Sequence, residues 1–96
     1  MSADVLIYVT SWCPYCHAAK ELLRSKSVAF TEIDVEGRQE LRSWLASTSG
    51  QRTVPQVFIN GQPVGGYSDI DQLDQDGKLD RLLAEPPPAN GAPLPR

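Results

Sequence analysis

Val5-Leu6-Ile7-Tyr8-Val9-Thr10-Ser11-Trp12-Cys13-Pro14-Tyr15-Cys16 runs from an apolar, β-branched stretch into the chain's two cysteines, and its reading decides the fold. Val5 to Val9 has the composition of a buried strand. Ser11 and Trp12 form the turn, and Pro14 suits a first helical turn because its missing N–H costs nothing there. Ala18, Ala19, Leu22 and Leu23 continue at helical spacing to about Lys26. Cys13 then falls at a helix start, near unsatisfied N–H groups and the positive end of the helix dipole, which favour a thiolate. Cys16 follows one turn later on the same face, where it reaches back to close a bridge with Cys13. Cys13 is the candidate nucleophile and Cys16 the deeper, resolving thiol.

Outward from this stretch, Val28 to Val35 alternates as a second strand. Residues 38–47 carry Leu41, Trp44 and Leu45 at helical spacing, with Gly50 as the stop. Val57-Phe58-Ile59 is a third strand, and Asn60-Gly61 predicts a hairpin into an antiparallel fourth strand around Pro63-Val64. Gly65-Gly66 ends that strand. Ser68 or Asp69 caps a last helical stretch with Ile70, Leu73, Leu79, Leu82 and Leu83, interrupted near Gly77. The order β-α-β-α-β-β-α predicts an α/β domain over residues 1–84, a central four-stranded mixed sheet flanked by helices. Its first βαβ unit should be parallel and right-handed. From Glu85 to Arg96 the chain has five prolines and one large apolar residue, the composition of a disordered or polyproline-like tail.

A length of 96 residues is the size of one domain. A net charge of -3 argues against nucleic acid, and no run of Lys and Arg suggests a membrane surface. The apolar stretch Val5–Val9 is too short for a signal-peptide core or a membrane span, so the expected location is cytoplasmic. In a reducing cytosol a CxxC pair is catalytic or metal-binding rather than a staple. Zinc lacks ligands here, because the chain offers only one His beyond the pair. Calcium fails on register: aligning Gly77 with the loop glycine puts Gln72 first and Leu83 last, where oxygen ligands belong. No metal is expected. His17 reads as a solvent-facing helix residue.

Two further constellations carry chemistry. Thr53-Val54-Pro55 precedes the third strand, where the Val54-Pro55 bond is equally readable as cis or trans. A cis bond would turn the N–H and C=O of Val54 outward, to pair with a peptide-like substrate near Cys13. In Gly65-Gly66-Tyr67-Ser68-Asp69 the glycines allow a ligand backbone to approach closely. Helix N–H groups there could take a carboxylate and Asp69 an ammonium, as in an amino-acid head group. A turn followed by an N-cap explains the same residues.

Cys13-Pro14-Tyr15-Cys16, Arg52-Thr53-Val54-Pro55 and Gly65-Gly66-Tyr67-Ser68-Asp69, in this order and at these separations, resemble a dithiol glutaredoxin from about Val5 to Ala84. The resemblance implies a thioredoxin-like fold, a cis Val54-Pro55 bond, and glutathione as reductant. It implies an enzyme reducing protein disulfides and glutathione mixed disulfides, with Cys13 attacking and Cys16 resolving. Its partners would be glutathione and disulfide-bonded or glutathionylated proteins, and the chain would act as a monomer without membrane or nucleic acid. Tyr15, Thr53, Val54, Pro55, Gly66, Ser68 and Asp69 would line the glutathione groove. Val54 would pair with the cysteinyl backbone, Ser68 and Asp69 would hold the γ-glutamyl end, and Arg52 is the candidate for the glycyl carboxylate. Thr10 departs from the family, many members of which have a Lys before the first cysteine. Trp12 is reminiscent of thioredoxins. Members that share an iron–sulfur cluster between two chains usually have a smaller residue where Pro14 stands, so Pro14 argues against that role.

Overall fold

Alternate side chains of Val5–Val9 pack on opposite faces of a sheet, which divides the core in two. A computed structural model describes residues 3–88 and 93–96. Its elements are β1 (Val5–Val9), α1 (Pro14–Ser25), β2 (Thr31–Asp34), α2 (Gln39–Ser49), β3 (Gln56–Ile59), β4 (Gln62–Gly65), α3 (Tyr67–Gln75) and α4 (Leu79–Ala84). The sheet order is β2-β1-β3-β4, with β1 parallel to β2 and antiparallel to β3, and β3 antiparallel to β4. This is the expected four-stranded mixed sheet.

Val5, Ile7 and Val9 join Val57 and Ile59 against Cys16, Ala19 and Leu23 of α1, Ile70 of α3, and Leu79 and Leu83 of α4. Leu6, Tyr8, Ile33 and Phe58 pack on the other face against Leu41 and Leu45 of α2. Tyr8, Trp44 and Phe58 form an aromatic cluster there, with ring centroids 5.4–5.6 Å apart. Cys16 therefore belongs to the core that fixes α1 on the sheet, and Cys13 sits at the edge of that core.

The turn signals act as read. Asn60 (φ 52°) and Gly61 (φ 82°) both adopt the left-handed conformation that a two-residue hairpin requires. Gly50 at φ 77° ends α2, its N–H donating to Ala46 O at 2.9 Å.

Two boundaries differ from expectation, those of β2 and of the start of α3, while the break in the last helical stretch falls near Gly77 as read. The second strand starts at Thr31 rather than Val28, because Ser27 turns at φ 57° and residues 28–30 carry the chain from α1 to the sheet edge. The last helical stretch is two helices, broken where Gly77 takes φ 75° and the Lys78 N–H bonds Leu73 O at 2.8 Å. Lys26 pairs with both Asp74 and Asp80, tying the end of α1 to each of them. Helix α3 starts at Tyr67, with Gly66 rather than Ser68 or Asp69 as N-cap.

Of the proline-rich segment, residues 89–92 lie outside the described residues, and the rest has no helix or strand. The side-chain amide of Asn60 donates to Glu85 O at 3.0 Å. Residues 93–96 lie against the domain: Leu94 packs on the α2-side core, and Pro95 O accepts from the Tyr8 hydroxyl at 2.7 Å. The buried Tyr8 hydroxyl needs an acceptor, and this segment supplies it.

Candidate active site

Cys13 is the N-cap of α1, in extended conformation (φ -141°, ψ 101°), with Pro14 opening the helix. Its sulfur takes the place usually held by a capping oxygen and accepts the Cys16 N–H at 3.1 Å. That N–H and the helix N-terminus together place positive potential at Cys13 Sγ. Both cysteines are free thiols. Cys13 is 9% exposed and Cys16 1%, so Cys13 is less open than its position at a helix start suggests but remains the accessible one of the pair. Burial pushes the Cys16 thiol up to about 12, and its hydrogen bond to the Cys13 sulfur acts in the same direction. The two cysteines thus differ in exposure, and burial holds the Cys16 thiol in its protonated form.

The Val54-Pro55 bond is cis. Val54 O lies 3.7 Å from Cys13 Sγ, so the loop before β3 meets the start of α1 directly. No hydrogen bond among the described residues uses the Val54 N–H. Gln56, fully buried at the start of β3, holds this loop: its Nε2 donates to Gln51 Oε1 at 2.8 Å and to Thr53 O at 3.0 Å.

Beside this junction runs a groove of about 520 Å³. Tyr15, Thr53, Val54, Pro55, Gly66, Ser68 and Asp69 line it, all of them expected from the sequence. Gln51 and Tyr67 also line it and were missed. Tyr67 stacks on Tyr15 at 6.2 Å, an aromatic pairing that no sequence spacing reveals. Arg52 is not brought into the groove; it lines a neighbouring cleft with Arg38 and Arg42. His17 is exposed on α1.

At the far end of the groove, Asp69 Oδ2 accepts the Gly66 N–H at 2.9 Å, so the carboxylate caps α3. The glycines serve this contact. Gly65 has φ 110°, and a Cβ there would lie 2.2 Å from Asp69 Oδ2, while one on Gly66 would lie 3.2 Å from Pro55 O. The space beside Gly65 is therefore taken by Asp69 itself rather than left for a ligand backbone.

Among the described residues no group of three or more His, Cys, Asp or Glu could hold a metal ion, and no helix is long and apolar enough to cross a membrane.

Residues 5–64 match the family model for glutaredoxin. A glutaredoxin of Pseudomonas aeruginosa is 51% identical over 80 residues, covering 83% of this chain and 95% of that protein. Glutaredoxin 3 of Escherichia coli K12 is 48% identical over 81 residues, covering 84% and 98%. Among solved structures, the buckwheat glutaredoxin–glutathione complex superposes with a TM-score of 0.80 at 28% identity, covering 84% of this chain and 76% of that one. The solution structure of glutaredoxin from Brucella melitensis gives 0.77 at 46% identity, covering 85% and 89%.

Proposed function

The chain belongs to the glutaredoxin family, and on that premise we propose that Cys13 is its attacking thiol and Cys16 its resolving thiol. It is a glutathione-dependent thiol-disulfide oxidoreductase with a thioredoxin-like fold, and glutathione is its cosubstrate. The observation that carries the assignment of roles is the geometry at Cys13. Its sulfur caps α1, accepts the Cys16 N–H at 3.1 Å, and meets the Val54 carbonyl at the groove.

In the proposed reaction the Cys13 thiolate attacks one sulfur of a substrate disulfide. A Cys13–sulfur bond forms as the substrate S–S bond breaks, and the departing thiolate takes up a proton. From a glutathione mixed disulfide, Cys13 takes the glutathionyl group. A second glutathione thiolate then attacks that sulfur, giving oxidised glutathione and free Cys13. From a protein disulfide, Cys16 loses its proton and attacks Cys13 Sγ. This releases the second substrate thiol and leaves a Cys13–Cys16 disulfide, which two glutathione molecules reduce. Cys16 serves only this second route.

Glutathione lies in the groove in this reading. Its cysteinyl backbone pairs with Val54, whose N–H no described residue engages. Its γ-glutamyl end lies over the start of α3, where backbone N–H groups and Ser68 face its carboxylate and Asp69 its ammonium. Tyr15, Pro55 and Gly66 complete the walls. Arg52, one residue from Thr53 but facing the adjacent cleft, takes the glycyl carboxylate.

Residues 1–84 form the catalytic domain in this reading, with 85–96 an appendage to it. The protein acts as a monomer on disulfide-bonded or glutathionylated proteins of the cytoplasm. Supporting this, Trp12 (94% exposed) and Tyr15 (66%), both beside Cys13, are the exposed large apolar side chains among the described residues. A dithiol recycled by glutathione suits a reducing compartment.

The direct test measures turnover with glutathione, glutathione reductase and NADPH, against turnover with thioredoxin reductase and NADPH. Activity is expected in the first system. Activity confined to the second would overturn the glutathione assignment.

A further inference from the structure

Cys16 and Lys20 stand one helical turn apart on the same side of α1, and a helical side chain leans back over the turn before it, so Lys20 reaches toward Cys16. Its side chain is only 14% exposed, and its Nζ lies 2.8 Å from Glu32 Oε2 on the edge strand β2. Glu32 pairs in register with Ile7, and Asp34 with Val9, so both carboxylates stand on the sheet face that packs Cys16. Val9, Thr10, Ser11, Lys20, Glu32 and Asp34 line a cleft of about 280 Å³ there, with Lys20 as its one cation. Asp34 Oδ1 is engaged by the Glu36 N–H at 2.9 Å. From β1, β3, α3 and α4 the cluster around Cys16 receives apolar side chains, among them Val9, Val57, Ile70 and Leu79, and Tyr67 with its phenol.

Resolution needs a thiolate at a sulfur where burial disfavours one. Burial comes first among the causes that push the Cys16 thiol up, followed by its hydrogen bond to the Cys13 sulfur and the charge of Cys13. The two Cys13 effects belong to the reduced protein and disappear once Cys13 carries a substrate sulfur. The backbone of Thr10 and the charge of Lys20 act the other way, and both remain. In the mixed disulfide the balance at Cys16 is therefore burial against Thr10 and Lys20. An ammonium held this far from water is also screened less than one on the surface.

We propose that Lys20 is a positioning residue for the resolving step, its ammonium, held by Glu32, favouring charge on Cys16 Sγ while Cys13 carries the substrate. The proposal rests on the reading of Cys13 as the attacking thiol and Cys16 as the resolving one. In that step the Cys16 S–H bond breaks and its proton passes to solvent water. A Cys16–Cys13 S–S bond forms as the bond from Cys13 to the substrate sulfur breaks, and the departing thiolate takes up a proton from solvent. Lys20 itself transfers no proton. Without its charge, about tenfold less thiolate, partly offset by the stronger nucleophilicity of a more basic sulfur, leaves ring closure about threefold slower.

The test follows the resolving step by itself. The reduced full chain is mixed with excess bis(2-hydroxyethyl) disulfide, quenched in acid at successive times and weighed by mass spectrometry. The Cys13 mixed disulfide and the Cys13–Cys16 disulfide differ in mass, so formation of the first and closure to the second are read separately. In Lys20→Met the mixed disulfide should form at the parent rate and close about threefold more slowly at neutral pH, with the closure profile displaced upward by about one pH unit. Lys20→Arg, which keeps the charge, should restore closure. Glu32→Gln breaks the same ion pair but leaves the ammonium, so its closure should be no slower than the parent's. Equal closure in the parent and Lys20→Met would overturn the proposal. Equal slowing in Lys20→Met and Glu32→Gln would also overturn it, leaving the pair as a brace between α1 and β2. A parent mixed disulfide found on Cys16 instead of Cys13 would mean that the underlying assignment of roles had failed.

Discussion

The backbone N–H of Cys16 points at the sulfur of Cys13, 3.1 Å away, while the Cys16 sulfur lies in the core between α1 and the sheet. In the proposed mechanism one residue thus helps its partner twice, through a backbone donor that needs no side chain and through a resolving thiol. The two contributions separate by mutation. Cys16→Ser keeps the N–H and removes the thiol, so cleavage of glutathione mixed disulfides should persist near the parent rate while reduction of protein disulfides is lost. Cys13→Ser should abolish both. Parallel steady-state assays on a glutathionylated peptide and a disulfide-bonded protein check this, and residual activity of Cys13→Ser on the first would sink the mechanism.

Burial gives Cys16 a pH signature. With its thiol pushed up to about 12, only about 10⁻⁵ of it is thiolate at pH 7. Iodoacetamide at neutral pH should therefore label Cys13 alone, with Cys16 reacting only after unfolding or in strong alkali. Stability follows the same group. In the unfolded chain Cys16 titrates near ~8.5, so between there and about 12 the unfolded state releases a proton that the folded state keeps. The reduced protein should be at full stability below pH ~8.5 and lose stability steadily above it. Asp74 and Asp80 hold the Lys26 ammonium above its ordinary value, which adds to the alkaline loss at higher pH. Denaturant midpoints of reduced parent and Cys16→Ala from pH 7 to 10.5 test this. The variant should show the flatter profile, and parallel profiles would count against it.

Gly65 is fixed by what it touches. A methyl group there collides with the Asp69 carboxylate and imposes φ 110° on an L-residue. Gly65→Ala should cost about 1–3 kcal/mol, the range for a residue held in a sparsely populated backbone region. Because relief requires Asp69 to leave the Gly66 N–H, KM for glutathione should rise while alkylation of Cys13 stays unchanged. Thermal melts and the KM together decide it, and an unaltered KM would detach Asp69 from the binding site.

These results show which parts of the molecule were legible in the residues. The Val5–Val9 run, Pro14 after Cys13, Asn60-Gly61 and Gly50 each impose a local conformation, so the elements around them followed from local chemistry. The residues alone left the Val54-Pro55 bond open between cis and trans and explained Gly65–Asp69 equally well as a turn and cap; the groove walls were legible through the resemblance, which joins Tyr15, Thr53-Val54-Pro55 and Gly65–Asp69. Tyr67 and Gln51 were not, because their part comes from partners distant in sequence or from loop shape. Gln56 is harder still. A glutamine looks like a strand boundary, yet here it is fully buried and its amide holds the loop through Gln51 and Thr53, with Oε1 unpaired. Arg52 stands next to the groove residue Thr53 in the chain, but its side chain lines the next cleft, which its position in the sequence does not reveal.

The contact of residues 93–96 follows from one hydroxyl. Tyr8 is fully buried among Trp44 and Phe58, and burial raises its phenol above the ordinary value. Its hydroxyl donates to Pro95 O, 87 positions away, while Leu94 covers the same cluster. A chain ending at Pro88 keeps the Asn60 contacts to Glu85 and Pro86 but removes Leu94, Pro95 and Arg96. It should retain full oxidoreductase activity, because none of these residues lines the groove. In the full chain, Tyr8→Phe should cost about 1 kcal/mol, the usual net worth of a hydrogen bond, or roughly 4–8 °C in Tm. In the shortened chain the same substitution should cost close to nothing, since water then takes the place of Pro95 O. The double-mutant cycle across these four proteins should yield a coupling of about 1 kcal/mol. A coupling near zero would mean that residues 93–96 are not held against Tyr8 in solution.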